Sequence, residues 1–379
     1  MLVQPTTNVA AMIKVVGVGG GGNNAVNTMI NDYNIDGVEF VAVNTDAQVL
    51  KNSRASVKIQ IGSNLTQGLG AGGDPSIGGQ AAEESAEELH EHLDSADMVF
   101  ITGGMGGGTG TGAIPVVSGI AKNLGALTVA VVTKPFAFES KKRMEVAMEG
   151  ISRLKDKTDA MIVVPNQRIL EIIDRNLTFP EAMRKVDEVL ANAVLSISNL
   201  VTQTGFINLD FADVRSVLKN SGTAMMGLGK GSGENRAEMA AKQAISSPLL
   251  EMSIQGAKGL LFNIRGGSNL AMQEVAAAAQ LITDMVDSSA VVKFGATIDE
   301  SLDDEIQLTV LAAGFPDEIA FKTDYSKPIS VQMPGINLPE QANKPINLSL
   351  TDKSPKKPSD IQSQEDDELE IPAFLRRKN

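Results

Sequence analysis

The feature that most constrains this chain is a glycine-rich segment at residues 103–112, GGMGGGTGTG, in which seven of ten residues are glycine. An apolar run that predicts a strand precedes it, and a helical pattern begins at Ala113, with Pro115 in the predicted first turn. Glycine lets the backbone approach a ligand closely, so the amides, the helix N-terminus and the hydroxyls of Thr109 and Thr111 can face phosphate oxygens. A flexible linker is the alternative, but linkers do not usually join a buried strand to a helix. The segment therefore predicts a phosphate-binding loop, one without the Lys-Ser or Lys-Thr of the common P-loop.

A second glycine segment, GGGGNN at 19–24, lies between a predicted strand and a helical pattern that begins at Ala25. Its GxGxxG match is typical of dinucleotide-binding units, in which Asp46, after the next predicted strand, would hold a ribose. That interpretation leaves the segment at 103–112 without a role. Two phosphate-type loops fit a nucleotide with a triphosphate tail better, and the glycines at 68–73 could supply further amides.

Apolar runs with strand character alternate with helical patterns through the first half of the chain. Strands spaced in this way predict an α/β fold, a Rossmann-like parallel sheet with helices on both faces, which binds ligands at the carboxyl ends of its strands. Both glycine segments follow strands, so both are expected at that edge. The predicted strands cover residues 13–18, 38–43, 57–61, 97–102, 126–133 and 160–165.

A long helix and a smaller α+β domain are predicted to follow. Residues 179–203 contain no glycine, no proline after Pro180, and an apolar face that repeats over several turns, so this central helix is expected to be mostly buried. The later elements are predicted as helices at 210–219 and 268–286 and strands near 224–228, 259–264, 290–296 and 305–312.

The composition changes near the end of the chain. Residues 321–379 hold seven of the fifteen prolines but one of the 36 glycines, which favours a disordered linker. The final residues differ, because LEIPAFLRRK at 369–378 places large apolar side chains beside a basic cluster. A solubilising tail is the alternative, but such tails seldom end in Ile, Phe and Leu, so a partner-binding peptide is favoured. The predicted divisions are a flexible N-terminus (1–11), a first domain (12–178), the central helix (179–203), a second domain (204–316), the linker (317–368) and the tail peptide (369–379).

Composition excludes several classes of function. The chain has 379 residues, a formal charge of −13 and no cysteine, which argues against general nucleic-acid binding and excludes disulfides and thiolate chemistry. Its two histidines, His90 and His92, would point apart at i, i+2 on a helix, so they make a poor metal pair. No long apolar run or signal peptide is present, so we expect a soluble, intracellular protein.

A short acidic segment after the long helix is the candidate for chemistry. If a helix begins near Asp210, then Asp210 and Asp213 share one face, with Asn208 beside them. Helix capping explains one acid at this position. A carboxylate pair could instead polarise water for attack on a phosphoryl group, and both interpretations stay open on the residues alone.

Several of these motifs, in this order, resemble the FtsZ branch of the tubulin/FtsZ superfamily. They are GVGGGGNN at 17–24, GGMGGGTGTG at 103–112, TKPF at 133–136, NLDFAD at 208–213 and EIPAFLR at 370–376. The resemblance implies a cytoplasmic GTPase that polymerises head to tail into filaments of the bacterial division ring at mid-cell, on the inner face of the membrane. The loop at 204–213 of one subunit would complete the GTP site of the next, and the tail would bind membrane-tethering adaptors and division regulators. A tubulin-like filament protein for plasmid partition and a dinucleotide-binding enzyme are the alternatives.

The resemblance also implies roles for individual residues. Two positions depart from the family pattern: Asn23, where many relatives have glycine, and Met183, where many have an aromatic residue against the base. Mg²⁺ is expected to be held mainly by the nucleotide and water, with no metal-ligating side chain. The implied nucleotide-binding residues are Gly21, Gly22, Asn23, Asn24, Ala25, Gly106, Gly107, Gly108, Thr109, Gly110, Thr133, Glu139, Arg143, Asn166 and Asp187. The implied catalytic residues are Asn208, Asp210 and Asp213, and the implied partner-binding residues are Ile371, Pro372, Phe374, Leu375 and Arg376.

Overall fold

The first half of the chain alternates between strands and helices, as its apolar runs predict. The computed structural model describes residues 11–315, apart from 34, 36, 173–176, 203–206, 208, 248 and 251–252. Within the described residues the strands are β1 Ile13–Val18, β2 Val38–Asn44, β3 Val57–Gln60, β4 Met98–Gly104, β5 Leu127–Lys134, β6 Ala160–Pro165, β7 Gly222–Ser232, β8 Gly259–Gly266, β9 Val291–Ile298 and β10 Glu305–Ala313.

Helices connect most of these strands. Within the same residues they are α1 Gly19–Asp32, α2 Ala47–Asn52, α3 Ser63–Thr66, α4 Pro75–Glu84, α5 Ala86–Leu93, α6 Thr109–Asn123, α7 Lys141–Leu154, α8 Asn166–Ile172, α9 Phe179–Thr202, α10 Phe211–Leu218, α11 Arg236–Ile245 and α12 Met272–Thr283. Short 3-10 turns lie at Ala137–Glu139, Lys155–Lys157 and Glu300–Leu302.

All ten strands belong to one sheet, in the order β3-β2-β1-β4-β5-β6-β7-β10-β8-β9. The strands from β3 to β7 are parallel, β10 runs antiparallel to both of its neighbours, and β9 pairs in parallel with β8. The predicted α/β class is therefore confirmed. Because β1 and β4 are parallel neighbours, the two glycine segments that follow them meet at the same edge of the sheet.

Side chains of the parallel strands are buried on both faces, which explains their nearly continuous apolar sequences. Along β1, Ile13 and Val15 pack toward α1 and α9, whereas Val16 and Val18 pack toward α4, α5, α6 and α7. Full burial of each such side chain contributes about 1.5–3 kcal/mol. The two cores fix the sheet between its helical layers, so the edge that carries the glycine segments is held rigidly.

The long helix α9 confirms the prediction for residues 179–203, apart from residue 203, which lies outside the described part. Its 24 residues correspond to a length of about 36 Å. Val186, Leu190, Val194 and Ile197 form its buried face. This face packs against α1 and the sheet.

Both helices after the glycine segments begin earlier than the sequence predicts. We expected α1 to start at Ala25 and α6 at Ala113, but they start at Gly19 and Thr109, directly after their strands. Pro115 consequently lies inside α6 rather than in its first turn, and that prediction was wrong. The sequence pattern misses these starts because glycine is a weak helix former. The two starts pack closely, since a Cβ on Gly19 would lie 3.0 Å from the backbone nitrogen of Gly110.

The helix α11 is not predicted from the sequence, and it packs against β7 at very short range. A Cβ built on Gly227, Gly229 or Gly231 would lie 1.9–2.0 Å from a backbone carbonyl oxygen of α11. Glycine at alternate positions of β7 therefore creates the space that the helix backbone fills. The signal that could have found the helix is its buried alanine repeat, which consists of Ala237, Ala240, Ala241 and Ala244.

Candidate functional site

A cleft of about 380 Å³ lies at the carboxyl ends of β1, β4, β5 and β6. This volume is within the range of about 300–1,000 Å³ that is typical of small-molecule sites. The residues that line it are Val18, Gly19, Gly20, Gly21, Asn24, Gly104, Met105, Gly107, Gly108, Thr109, Gly110, Thr133, Pro135, Phe136, Glu139, Arg143, Asn166, Met183, Val186, Asp187 and Leu190.

One end of the cleft consists of glycine backbone. Gly20 and Gly107 face open space, since a Cβ on either residue would meet no atom within 4 Å. Gly19 has the left-handed φ of +71°, a conformation that side chains other than glycine rarely adopt. The N-termini of α1 and α6 both begin at this end, and each carries partial positive charge from the helix dipole. This arrangement is suited to an anion with several oxygens.

Two threonine hydroxyls shape the glycine loop at 103–112. The Thr111 hydroxyl accepts a hydrogen bond from the Gly106 amide at 2.8 Å, and Thr111 is fully buried, so the prediction that this hydroxyl faces phosphate was wrong. Thr109 does line the cleft, and its Oγ1 lies 2.7 Å from Oγ1 of Thr45. The Met105 amide donates to the Thr133 carbonyl oxygen at 2.9 Å. These bonds hold the loop in one conformation.

A charged pair closes one side of the cleft. The Arg143 guanidinium lies 2.8 Å from the Glu139 carboxylate one helical turn away, and the backbone amide of Phe136 donates to Glu139 Oε1 at 2.9 Å. The Phe136 ring is buried and stacks on Phe138, with ring centroids 5.0 Å apart. The pair therefore presents a half-exposed cation beside the glycine backbone, and its carboxylate partner is held by the Phe136 amide.

The other end of the cleft combines apolar walls with two acceptors. Met183, Val186 and Leu190 come from one side of α9. Asn166 is buried and its Oδ1 has no hydrogen-bond partner among the described residues. Burial, followed by the neighbouring carboxylate of Glu188, raises the pKa of Asp187 to about 7. Unmatched acceptors in a partly apolar pocket suit a ring that carries N–H donors.

The structure brings most of the predicted nucleotide-binding residues to this cleft. Those that line it are Gly21, Asn24, Gly107, Gly108, Thr109, Gly110, Thr133, Glu139, Arg143, Asn166 and Asp187. The other four predicted residues are buried behind the cleft wall and do not line it: Gly22, Asn23, Ala25 and Gly106. Asn23 is 1% exposed with an ordinary helical backbone, and its amide group has no partner among the described residues.

Sequence reasoning did not assign several other lining residues. Gly19 and Gly20 belong to the segment already singled out, and Pro135 and Phe136 follow Thr133 in the TKPF motif, so both motifs held the signal. Val186 and Leu190 lie three and seven positions after Met183 on α9, which is the spacing of one helix face. Reading the helical spacing forward from Met183 would have identified Val186 and Leu190.

Asp46 and the segment at 68–73, which the sequence suggested as ligand contacts, do not line the cleft. The Asp46 carboxylate accepts hydrogen bonds from the amides of Gln48 and Val49 at 2.8 and 3.1 Å, so it caps α2 and does not line the cleft. The dinucleotide interpretation thereby loses its ribose ligand. The segment at 68–73 is absent from the lining, and it packs behind Gly108, where a Cβ would lie 2.9 Å from Ala71.

The acid loop, which we define as residues 207–213, begins α10. Asp210 is the N-cap, and its Oδ1 accepts from the Asp213 amide at 2.7 Å, so the capping interpretation holds for this residue. The Asp213 carboxylate lies 2.6 Å from Lys293 Nζ, and this hydrogen-bonded cation holds the pKa of Asp213 below its usual range. Asn208 lies outside the described residues.

The cleft and the acid loop lie at opposite ends of β5. Arg215, two residues after Asp213, donates to the carbonyl oxygen of Gly125 at 3.3 Å, just before β5 begins. Thr133, near the carboxyl end of β5, lines the cleft. The strand β5 has eight residues, Leu127–Lys134, and they span about 23 Å at the usual strand rise. One chain therefore cannot bring its Asp213 to its own cleft.

The glycine loops, the cleft between them and the acceptor pair define a nucleotide-binding α/β protein. A family model described as the tubulin/FtsZ family GTPase domain matches residues 12–174, and one described as the FtsZ family C-terminal domain matches residues 222–316. An FtsZ dimer from M. jannaschii is similar at 47% identity and a TM-score of 0.77, over 82% of this chain and 89% of that one. The chain belongs to the tubulin/FtsZ family, so it contains that family's GTPase domain and filament-forming fold.

More distant relatives support the fold alone. CetZ2 from Haloferax volcanii, solved as a GTPγS-bound protofilament, shares 21% identity at a TM-score of 0.68, over 80% of this chain and 93% of that one. CetZ1 from the same organism, solved as a GDP-bound monomer, shares 19% identity at a TM-score of 0.70, over 80% and 94% of the two chains.

Among the described residues, no group of three or more His, Cys, Asp or Glu side chains is arranged to hold a metal ion. Within the same part of the chain, no helix combines the length and apolar character needed to span a membrane.

Proposed function

We propose that this protein hydrolyses GTP in head-to-tail filaments, and that the acid loop of one subunit completes the cleft of the next. The observation that carries this proposal is that the cleft and the acid loop lie at opposite ends of β5, about 23 Å apart along the strand. A head-to-tail contact joins opposite ends of neighbouring subunits, so it brings cleft and acid loop together in trans.

Exposed apolar side chains at both ends of the molecule support such a contact. On the cleft side, Leu69 is 84% exposed, and Phe138 and Phe179 are each 67% exposed. At the opposite end, Met12 before β1 and Val291 at the start of β9 are 47% and 48% exposed. A contact between subunits would remove these apolar side chains from water.

In the proposed reaction, water attacks the γ-phosphorus and the bond to the β–γ bridging oxygen breaks, which gives GDP, phosphate and a proton. Asp213, with Asp210 and Asn208, would orient and polarise the attacking water. The glycine amides and the N-termini of α1 and α6 would stabilise charge on the phosphate oxygens. Mg²⁺, held by the phosphates and water, would neutralise part of the developing charge.

Guanine is the base that the other end of the cleft favours. Its N1–H and 2-amino groups are adjacent donors, so an ionised Asp187 can accept from both, whereas adenine offers no such pair. Asn166 would hold a further polar edge of the base. Met183 supplies a flexible apolar contact in place of an aromatic ring.

The test is phosphate release per subunit, measured against protein concentration with GTP. We expect specific activity to rise steeply above a threshold, since completed sites form only on assembly. Asp213→Ala should keep GTP binding and filaments while losing most hydrolysis, giving long-lived filaments. Specific activity that stays flat across the threshold would contradict the shared site, and normal turnover of Asp213→Ala would leave Asp213 an ordinary first-turn residue.

The place of these filaments in the bacterial division ring is also a proposal, supported by the family and by the final peptide. The residues Ile371, Pro372, Phe374, Leu375 and Arg376, like the linker at 317–368, lie outside the described residues. We expect deletion of residues 370–379 to leave GTP turnover unchanged but to remove binding to membrane-tethering adaptors. Adaptor pull-down at full-length levels would favour a solubilising tail, and with it a role other than division.

A further inference from the structure

The edge strand β9 holds the acid loop at two points. Ile207 and Ala296 exchange backbone hydrogen bonds, at 3.3 Å from the Ile207 amide and 3.2 Å from the Ala296 amide. Three residues earlier on the strand, Lys293 Nζ lies 2.6 Å from the Asp213 carboxylate. One strand therefore fixes both the backbone at the start of the loop and a carboxylate at its end.

We propose that Lys293 is a positioning residue for hydrolysis across the subunit contact. It fixes the Asp213 carboxylate toward the incoming cleft, and it offsets part of the negative charge that the acid loop brings to a neighbour's triphosphate. This inference rests on the proposed function, and it adds a residue on a different strand to the machinery.

The charges around the loop support the role. Asp210 and Asp213 bring two negative charges toward a strongly anionic ligand, which is unfavourable without a cation. Arg215, the basic residue of α10, is directed elsewhere, to the Gly125 carbonyl oxygen and over the Phe211 ring. Within the part of the chain that the structure describes, Lys293 is therefore the cation in contact with Asp213.

The exposure of the pair is also suited to a shared site. The side chains of Asp213 and Lys293 are 27% and 38% exposed, so a neighbouring subunit can reach both. A bonded ammonium restricts the rotation of the carboxylate before the contact forms. Positioned groups react faster because their orientation does not have to be found during each turnover.

The kinetic test compares Lys293→Met and Lys293→Arg, with Lys230→Met as the matched control. Lys230 is also a strand lysine in an ion pair, 3.4 Å from Glu305, and it is not part of the acid loop. We expect Lys293→Met to lower kcat above the assembly threshold by about 3- to 10-fold, with unchanged GTP affinity of the monomer, and Lys293→Arg to restore most of it. Turnover of Lys293→Met at or above the wild-type rate, or equal to that of Lys230→Met, would overturn the proposal.

A second measurement decides the positioning role without filaments. Below the threshold, amide hydrogen exchange at Asp213 and Val214, whose N–H groups bond to Asp210, reports the order of the loop. We expect exchange there to be about 3- to 10-fold faster in Lys293→Met and unchanged in Lys230→Met. Equal protection in wild type and Lys293→Met would refute the role of Lys293. Wild-type turnover that does not depend on concentration would instead refute the shared site, so the two failures are distinguishable.

Discussion

Glycine serves opposite purposes in the cleft and in β7. At Gly20 and Gly107 the space where a Cβ would lie contains no protein atom within 4 Å. At Gly229 the same space holds the carbonyl oxygen of Ala240, 1.9 Å from the ideal Cβ position. The space at Gly20 and Gly107 is therefore open to a ligand, whereas the space at Gly229 is filled by the backbone of α11. What surrounds the missing side chain, rather than the residue type, separates a binding glycine from a packing glycine.

Gly229→Ala should give the largest effect, because the methyl group would overlap backbone that cannot move without separating α11 from β7. Overpacking of this kind is destabilising by about 1–3 kcal/mol, and backbone contact places this site at about 3 kcal/mol or more. Thermal unfolding measures it, with Gly119→Ala as the control, since a Cβ there makes only an ordinary contact of 3.6 Å with Lys157. A melting temperature within a degree or so of wild type would contradict the close packing.

Asp187→Asn should weaken GDP binding by about 10- to 100-fold, the loss expected when a charge-assisted hydrogen bond of about 1.5–3 kcal/mol is removed. The same change should stabilise the empty protein increasingly as the pH rises from about 4 to 7, and fully above pH 7. The reason is that the raised pKa of Asp187 penalises its ionisation in the folded state. Calorimetric binding and thermal unfolding measure the two effects. Loss of both affinity and stability would show that Asp187 belongs with the packing residues.

Gly107→Ala should lower GTP affinity by roughly 10-fold while leaving the melting temperature of the empty protein unchanged, because the methyl group enters the cleft and not the core. The readouts are GTP titration and unfolding without ligand. The pattern is the reverse of that for Gly229→Ala. If Gly107→Ala binds GTP normally, the open space at this glycine does not hold phosphate.

The smallest effect is the pH dependence of GDP binding. In the empty protein the pKa of Asp187 is raised to about 7, and a base that donates to the carboxylate lowers it. The affinity for GDP should therefore be highest above that pKa, where Asp187 is ionised. It should fall by roughly 5-fold as the pH drops from about 8 to 6. Asp187→Asn controls for ionisation of the nucleotide's own phosphate, and equal pH profiles would remove Asp187 from the base site.

The sequence predicts the first half of this fold well and the second half less well, for physical reasons. Strands such as β1 and β5 are buried on both faces, so their apolar runs stand out. The helix α11 buries alanines against glycines, a pairing with little hydrophobic signal, and only the opposing strand explains it. In the site, the family resemblance pointed to Thr133 and Asn166, which do line the cleft. The capping bonds of Asp46 and the inward hydroxyl of Thr111 depend on exact local geometry, which the sequence pattern does not specify. Nothing in the chain order indicates that Lys293 meets Asp213.

The distance along β5 also sets how activity is counted. Under the proposed function each subunit contributes its cleft to one site and its acid loop to another. A linear filament therefore has one fewer complete site than it has subunits. The subunit whose cleft lies open at one end holds nucleotide that no neighbour can act on. Average activity per subunit then depends on filament length, lowest for the shortest filaments, and a factor that severs filaments slows hydrolysis without contacting a single nucleotide.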